Sequence, residues 1–567
     1  MSDSFIIAID FGTTYSGYAF SITDSEEETD PRLKYWGEEV GLETSKTPTC
    51  ILFDKDEQFV SFGYEAKESY ILKKSEEARN MLFFDCFKMS LYGKKLNMDL
   101  KITAANGRSM NALKVFTEAL RFLKDDALKT ISNMTGKKFI VSDFTWVLTV
   151  PAIWDPSAKQ FMREAATEAG IVTKGAEHKL VIALEPEAAS VFCKKLPAEG
   201  FIAENRGEIK LSESPGTRYI VVDCGGGTID ITVHEVLEGG ALKELHKASG
   251  NNLGGQTVDS KFKEFLREIF CDGVWDEYER NYPSEVQKMM YDFTLFKKQD
   301  DDADIDCPFN LGKIAQKKKD IEKFFEGVKG ASWDEGSIVI SKQKLSVFFA
   351  ESLKGITDSL KGIFSKGLNI NYILLVGGYA ESQILQKHIT DEFIDNCKVL
   401  CPFRPQEAIM KGAVQFGRNP AVLASRKSAF TYGVRVAERF DVLKHRADKK
   451  FTNEEGEWCN DIFMTLVKAD DDVGWDEIKT EILNPIESEQ TVVNFTFYQT
   501  ERNHVTYVDE EGVEKIGSFN VESPDTTLGL NREIELKIKF GSTEMTATAT
   551  DKETGSPQTV KLDFMTK

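Results

Sequence analysis

Apolar and polar positions along this chain follow two grammars. Up to about residue 424, apolar runs end in a polar turn and are answered by a second strand or by a helix. Phe5-Ile-Ile-Ala-Ile-Asp10-Phe-Gly-Thr-Thr-Tyr-Ser-Gly-Tyr-Ala-Phe20 is one such run. Tyr219 to Val236 is another: apolar to Asp223, then Cys224, Gly225, Gly226, Gly227 and Thr228, then alternation from Ile229 to Val233. Both predict strand, tight turn, strand. Thr47 to Phe53 and Phe59 to Gly63 predict short strands, and Leu113, Phe116, Leu120, Leu123 and Leu128 mark one face of a helix over 111–131. Thr145 to Val150, closed by Pro151, and Leu180 to Leu184, followed by Pro186, predict strands that lead into helices. Residues 285–325 predict helix, acidic loop, helix, and Tyr372 to Val376 predict a strand entering a Gly377-Gly378 turn and a helix. From about Ser425 short alternating runs take over, at 491–498, 504–508, 533–540 and 544–550. They predict antiparallel sheet with one wet face.

The two turns carry the first chemistry. Three glycines strip the second tip of Cβ atoms, so backbone N–H groups can converge on an anion, and the Thr228 hydroxyl adds a donor. A carboxylate such as Asp223 beside a phosphate implies a cation between them, most simply Mg²⁺ held through water. Taken alone, the stretch reads equally well as a Gly-rich β-turn with a structural Asp. Its recurrence at Asp10, Gly12, Thr13, Thr14 and Tyr15 tips the balance, because two phosphate-gripping hairpins this far apart imply two similar lobes facing across a cleft.

Length and charge narrow the classes. The 567 residues allow more than one domain, and 71 basic against 92 acidic residues leave −21, which argues against a nucleic-acid or anionic-membrane partner. Nine dispersed cysteines without a Cys-x-x-Cys pair point to a reducing compartment, cytoplasmic or also nuclear, and away from structural zinc. Asp10 interrupts the first apolar run before a signal-peptide core forms, and no segment approaches the roughly 20 apolar residues of a membrane span. The acidic runs 25–30 and 300–306 read as solvated loops, the latter lacking the glycine of a calcium loop. Residues 199–215 read as an exposed polar insertion, and Cys224 as a small buried apolar residue.

The paired turns resemble the phosphate 1 and phosphate 2 motifs of the actin, hexokinase and DnaK-type heat-shock ATPase superfamily. Gly63-Tyr-Glu-Ala-Lys67 is similar to the DnaK-type Gly-x-x-Ala-Lys, Thr149-Val-Pro151-Ala to its Thr-Val-Pro-Ala element, and Glu185-Pro186-Glu-Ala-Ala to connect 1. Residues 377–382 resemble the adenosine motif, with Tyr379-Ala380-Glu381 in place of Ser-x-Arg, and 405–415 resemble connect 2, with Gln406 in place of Asp. Lys411 to Gly417 and Tyr432-Gly433-Val434 bring the chain closest to the atypical branch typified by the heat shock 70 kDa proteins 12A and 12B.

The resemblance implies a duplicated, actin-like two-lobed α/β ATPase over 1–424, with lobe I about 1–217, lobe II about 218–404 and a helix at 405–424 returning to lobe I. A β-rich domain over 425–567 resembles a lidless peptide-binding β-subdomain, with a plain structural module as the alternative. Mg²⁺ with ATP or ADP would lie between the lobes, Asp10 and Asp223 holding the metal through water. Gly12, Thr13, Thr14, Tyr15 and Gly225 to Thr228 would grip phosphates, and Lys67 and Glu185 would position the lytic water. Gly254, Gly255, Lys297, Lys298, Gly377 and Gly378 would border the nucleoside. The bland alternatives are a surface lysine at 67 and a helix-start acid at Glu185. The implied function is slow ATP hydrolysis coupled to protein or peptide clients and co-chaperones. A nucleotide-sensing scaffold that scarcely hydrolyses, and a metabolite kinase on the same fold, are the other readings. The altered residues at 379–381 and 406 imply that the base is held in a different way from the DnaK type.

Overall fold

A computed structural model of the chain describes residues 5–22, 30–73, 75–94, 96–173, 175–202, 211–540, 545–555 and 557–561. The acidic tip up to residue 29 and the centre of the polar insertion, 203–210, lie outside them. Contacts divide the chain into two compact units, Met1–Val233 with Ala248–Asn419, and His234–Lys247 with Pro420–Lys567.

The first unit contains one strand plan twice. In one sheet the order is Leu180–Leu184, Thr145–Val150, Ile6–Phe11, Tyr15–Ser21, Arg32–Leu33. In the other, Lys398–Pro402, Tyr372–Val376, Arg218–Cys224 and Ile229–Val236 follow in the same sense. The first strand of each hairpin pairs in parallel with a strand from far along the chain, Asp10 in register with Thr149 and Asp223 with Val376. Both strands are buried on both faces, which is why their sequences are continuous apolar runs instead of alternations. Each run breaks into polarity only at its carboxyl end, the edge of an α/β sheet at which ligands bind.

Helices cover these sheets. Ala112–Thr135 starts where the Asn111 side chain accepts a hydrogen bond from the Lys114 N–H. It buries Leu113, Phe116, Leu120 and Leu123, while Leu128 is half-buried because Ala127 and Ile131 take up the face there. Ala408–Arg418 packs on the helix Glu185–Cys193 and on the strand Ile6–Phe11. The acidic stretch 300–306 departs from the expected loop: Ala303–Asp306 is a strand paired with Ser337–Ile340, with Ala303 and Ile305 inward and both aspartates outward. Its alternation is period two, a signal that its charge disguised.

The second unit is antiparallel throughout its two larger sheets. One runs Lys450–Asn453, Gly456–Val467, Thr431–Arg439, Val492–Thr500, Glu514–Glu522, and the other Ile478–Leu483, Ile534–Lys539, Thr546–Asp551, Pro557–Lys561. Val434, Phe495, Phe497 and Val521 of the first share one core with Ile534, Leu536, Ile538 and Ala547 of the second. The expected strand at 504–508 is reduced to a single bridge, Tyr507 to Ile462.

Candidate functional site

The two polar turns interlock. In the second, the Gly225 N–H donates to the Thr228 carbonyl at 3.0 Å and closes the tip. A Cβ on Gly226 would stand 2.5 Å from both Oγ1 and Cγ2 of Thr14, so glycine is what lets the turns touch. The first turn is held from the other side, with Thr49 donating from its N–H to the Thr14 carbonyl and from its hydroxyl to the Gly12 carbonyl, each at 2.8 Å. The helix Gly255–Ile269 begins against the second tip. The N–H groups of Gly254, Gly255 and Gln256 donate to the carbonyls of Gly227, Gly225 and Gly226 at 3.2, 3.0 and 2.8 Å, so these amides brace the tip and do not face the cleft. Gly377 has φ 88°, and a Cβ there would fall on the Asp223 carboxylate.

Beneath the turns lies a cluster of buried charge. Asp10 is 2 % exposed; its Oδ2 is 2.5 Å from Lys46 Nζ, and its Oδ1 accepts from the Thr149 hydroxyl at 3.0 Å. Glu185, at the start of its helix, receives Lys88 Nζ at 2.7 Å, and Lys88 is itself only 1 % exposed. Asp230 accepts from the Ile153 N–H at 2.9 Å, just past Pro151, and the Thr228 side chain is turned to it. Asp223 Oδ1 is buried with no hydrogen-bond partner. Burial pushes the Glu185 carboxyl up to about 7, with Lys88 opposing the shift. Burial, then the charges of Glu185, Asp230 and Asp10, hold Asp223 well above the usual carboxylate range, and burial raises Asp230 too.

Four carboxylates therefore face two ammonium groups, and two orphaned buried oxygens, Asp223 Oδ1 and Asp230 Oδ2, sit among them. That arrangement fits a divalent cation. Among the described residues no three acidic, thiol or imidazole side chains converge to ligate a metal directly. An ion would be held through water and phosphate oxygens, the manner magnesium favours.

Above the turns opens a cavity of about 540 Å³. Of the residues the sequence singled out, Thr14, Tyr15, Lys67, Gly226, Gly255, Lys297, Lys298 and Gly378 line it. Asp10, Gly12, Thr13, Glu185, Asp223, Gly225, Gly227, Thr228, Gly254 and Gly377 are not among its lining residues. Lys67 does not reach Glu185: its ammonium lies 4.6 Å over the Tyr291 ring, on the rim. Lys297 is tied to Asp259 at 2.6 Å and to the Gly255 carbonyl, and Lys298 to Glu381 at 2.6 Å. Tyr379 is buried with its ring stacked on Phe349, and it also lines the cavity. The sequence reading passed over Lys46, Lys88 and Asp230. The signal for the lysines was a lone cation set in a run destined for the interior, Lys46 before Thr47-Pro48 and Lys88 within Phe83 to Leu91.

Twin sheets whose turns meet over one cavity define an actin-like, two-lobed ATPase fold. A family model described as Hsp70 protein matches residues 6–418, and the chain belongs to the Hsp70 family, which places it among ATP-binding proteins. It is similar to the heat shock 70 kDa protein 12A of Mus musculus, 34 % identical over 99 % of this chain and 91 % of that protein. To the heat shock 70 kDa protein 12B of Homo sapiens it is 33 % identical over 100 % of the chain and 91 % of the relative. The chaperone protein DnaK of Thermotoga petrophila is 23 % identical over 75 % of this chain and 60 % of its own length. No helix among the described residues is long and apolar enough to cross a membrane.

Proposed function

We propose that the chain is an ATP-binding protein and slow, Mg²⁺-dependent ATPase, with the nucleotide in the cavity above the two turns and its state coupled to protein partners. The observation that supports this most is the buried charge cluster, whose four carboxylates have only two ammonium groups beside them, so that Glu185, Asp223 and Asp230 are held toward their protonated forms for want of further positive charge. Bound magnesium would supply that charge and polarise the terminal phosphate through its water shell. Thr13, Thr14, Tyr15 and Gly225 to Thr228 surround the phosphates, and Gly377 and Gly378 flank the nucleoside. Glu185, held near neutrality, orients and deprotonates the attacking water. Lys88 is the interior cation that fixes Glu185 and faces the charge developing on the phosphoryl oxygens. Lys67 belongs to the rim.

Calorimetric titration with ATP and ADP in Mg²⁺, followed by single-turnover hydrolysis, tests this. The expected result is saturable binding, with Lys88→Met slowing the single turnover by about 10²-fold while affinity changes by less than about threefold. Absence of binding overturns the reading. The second reading, a nucleotide sensor that scarcely hydrolyses, is favoured by one feature: Lys88 caps Glu185 and Asp230 engages Thr228, so both groups nearest the phosphates are already occupied. A wild-type single turnover no faster than the Lys88→Met rate would establish it.

For the second unit we propose a β-sandwich that meets peptide clients or co-chaperones along its sheet edge at Ile478–Leu483, where Ile478 and Ile482 are exposed. All nine cysteines are free, which supports a reducing, cytoplasmic location.

A further inference from the structure

Lys46 stands between Asp10 and the cavity. It lines the cavity with Thr14, Tyr15 and Gly226, while Asp10 lies behind it. Its side chain is only 8 % exposed, and its ammonium is at ion-pair distance from the Asp10 carboxylate. That placement is built by the backbone. Thr47-Pro48 pairs with Tyr15-Ser16 in an antiparallel bridge, and the Lys46 carbonyl accepts the Thr44 hydroxyl at 2.8 Å. The lysine stem runs over Gly17, where a Cβ would come within 3.1 Å of Lys46 Cγ. Its field also reaches Asp223, the carboxylate of the opposite turn. A positive charge is thus fixed at the point where an acidic turn would otherwise repel polyphosphate, and it is covalently attached.

We propose that Lys46 is a tethered counter-cation of the phosphate site, so that this chain binds a nucleoside polyphosphate without a divalent metal and magnesium changes that affinity little. The inference rests on the nucleotide reading above, but it separates binding from hydrolysis: metal is needed for the reaction and not for occupancy. Because the ammonium takes up one of the negative charges and screens the Asp10 carboxylate from the cavity, phosphate oxygens meet donors in the metal-free protein. Replacing the charge with an apolar stem of similar length should restore the ordinary requirement for magnesium.

The test is equilibrium binding of a fluorescent ATP analogue, at constant ionic strength, in excess Mg²⁺ and in excess EDTA. For the wild type the two dissociation constants are expected to agree within about threefold. Lys46→Met is expected to weaken binding at least about tenfold in EDTA and to recover most of that loss in Mg²⁺. Lys46→Arg should keep the metal-free binding, and circular dichroism melts confirm that each variant is folded. A wild type that binds only with Mg²⁺ overturns the proposal without recourse to any variant, as does Lys46→Met behaving like wild type in EDTA. Failure of the wild type to bind in either buffer removes the nucleotide reading itself, a result distinct from both.

Discussion

Asp10 and Asp223 occupy the same place in two copies of one fold, yet their surroundings are opposite. Each ends a fully buried strand, each is 2 % exposed, and each is in register with a parallel neighbour. Asp10 has both oxygens engaged, by a lysine and by a hydroxyl. Asp223 has one oxygen buried without a partner and is pushed toward its protonated form by burial and three neighbouring carboxylates. A structural aspartate would be satisfied in place, as Asp10 is. A buried, unsatisfied charge costs stability and persists where a ligand completes it. Duplication thus supplied two equal frames, and the chain filled one with a residue of its own while leaving the other open.

That contrast predicts opposite signs for the same substitution. Asp10→Asn leaves the Lys46 ammonium buried without its counter-charge and is expected to destabilise the nucleotide-free protein by about 3–5 kcal/mol. Asp223→Asn removes a carboxyl whose charged form burial and three neighbouring carboxylates oppose against the field of Lys46, and it keeps the shape, so it should be neutral or stabilising by about 1 kcal/mol. Chemical denaturation of the two variants beside wild type measures both. Equal losses would mean that the two turns are not asymmetric in solution.

The open half should also respond to pH, and the sign follows from the raised carboxyls. Glu185 in the folded protein titrates near 7, against an ordinary value of 4.5, so between these the native state holds a proton that the unfolded chain has released. Stability from this group is complete below about pH 4.5 and is lost as pH rises through 7, a decline of at most about 3 kcal/mol. Asp223 and Asp230 shift the same way and add to the slope. Melting of the nucleotide-free protein from pH 5 to 7.5 should show a falling midpoint, flattened in Glu185→Gln. A midpoint that climbs with pH would place the charged forms in the folded cluster.

How much of this could be read from residues alone depends on what each side chain answers to. The first strand of each strand, turn, strand unit was legible because burial on both faces leaves no choice but an unbroken apolar run, and because Asp10 and Asp223 are the only acids those first strands admit. The strand Ala303–Asp306 was not, since four residues of weak alternation among aspartates look like a wet loop until Ser337–Ile340 arrives to pair with them. Lys46 and Lys88 were hidden for a different reason. A lysine announces a surface, and only the fold reveals that Asp10 and Glu185, some 36 and 97 residues away in sequence, wait for these two. Lys297 and Lys298 line the cavity, but no local pattern could show that Asp259 and Glu381 occupy their charges.

The smallest effect expected is also the one that most sharpens the distinction between interior and rim. Lys67 carries the motif resemblance, and on that ground alone it would be the group whose loss stops hydrolysis. Its position argues otherwise: the ammonium rests on Tyr291, across the cavity mouth from its own helix Gly63–Ile71, and Glu185 already has Lys88. A cation over an aromatic face at a partly exposed site contributes about 0.5–1 kcal/mol. Lys67→Ala should therefore lower stability by less than about 1 kcal/mol and quicken nucleotide release a few-fold, because that contact joins the two walls of the mouth. Its single-turnover rate should stay within about threefold of wild type, where Lys88→Met falls about 10²-fold. Stopped-flow release of a fluorescent nucleotide and quenched-flow hydrolysis read the two quantities separately. A hydrolysis defect in Lys67→Ala as deep as that of Lys88→Met would return the catalytic cation to the rim, and with it the order of charges derived for the whole cluster.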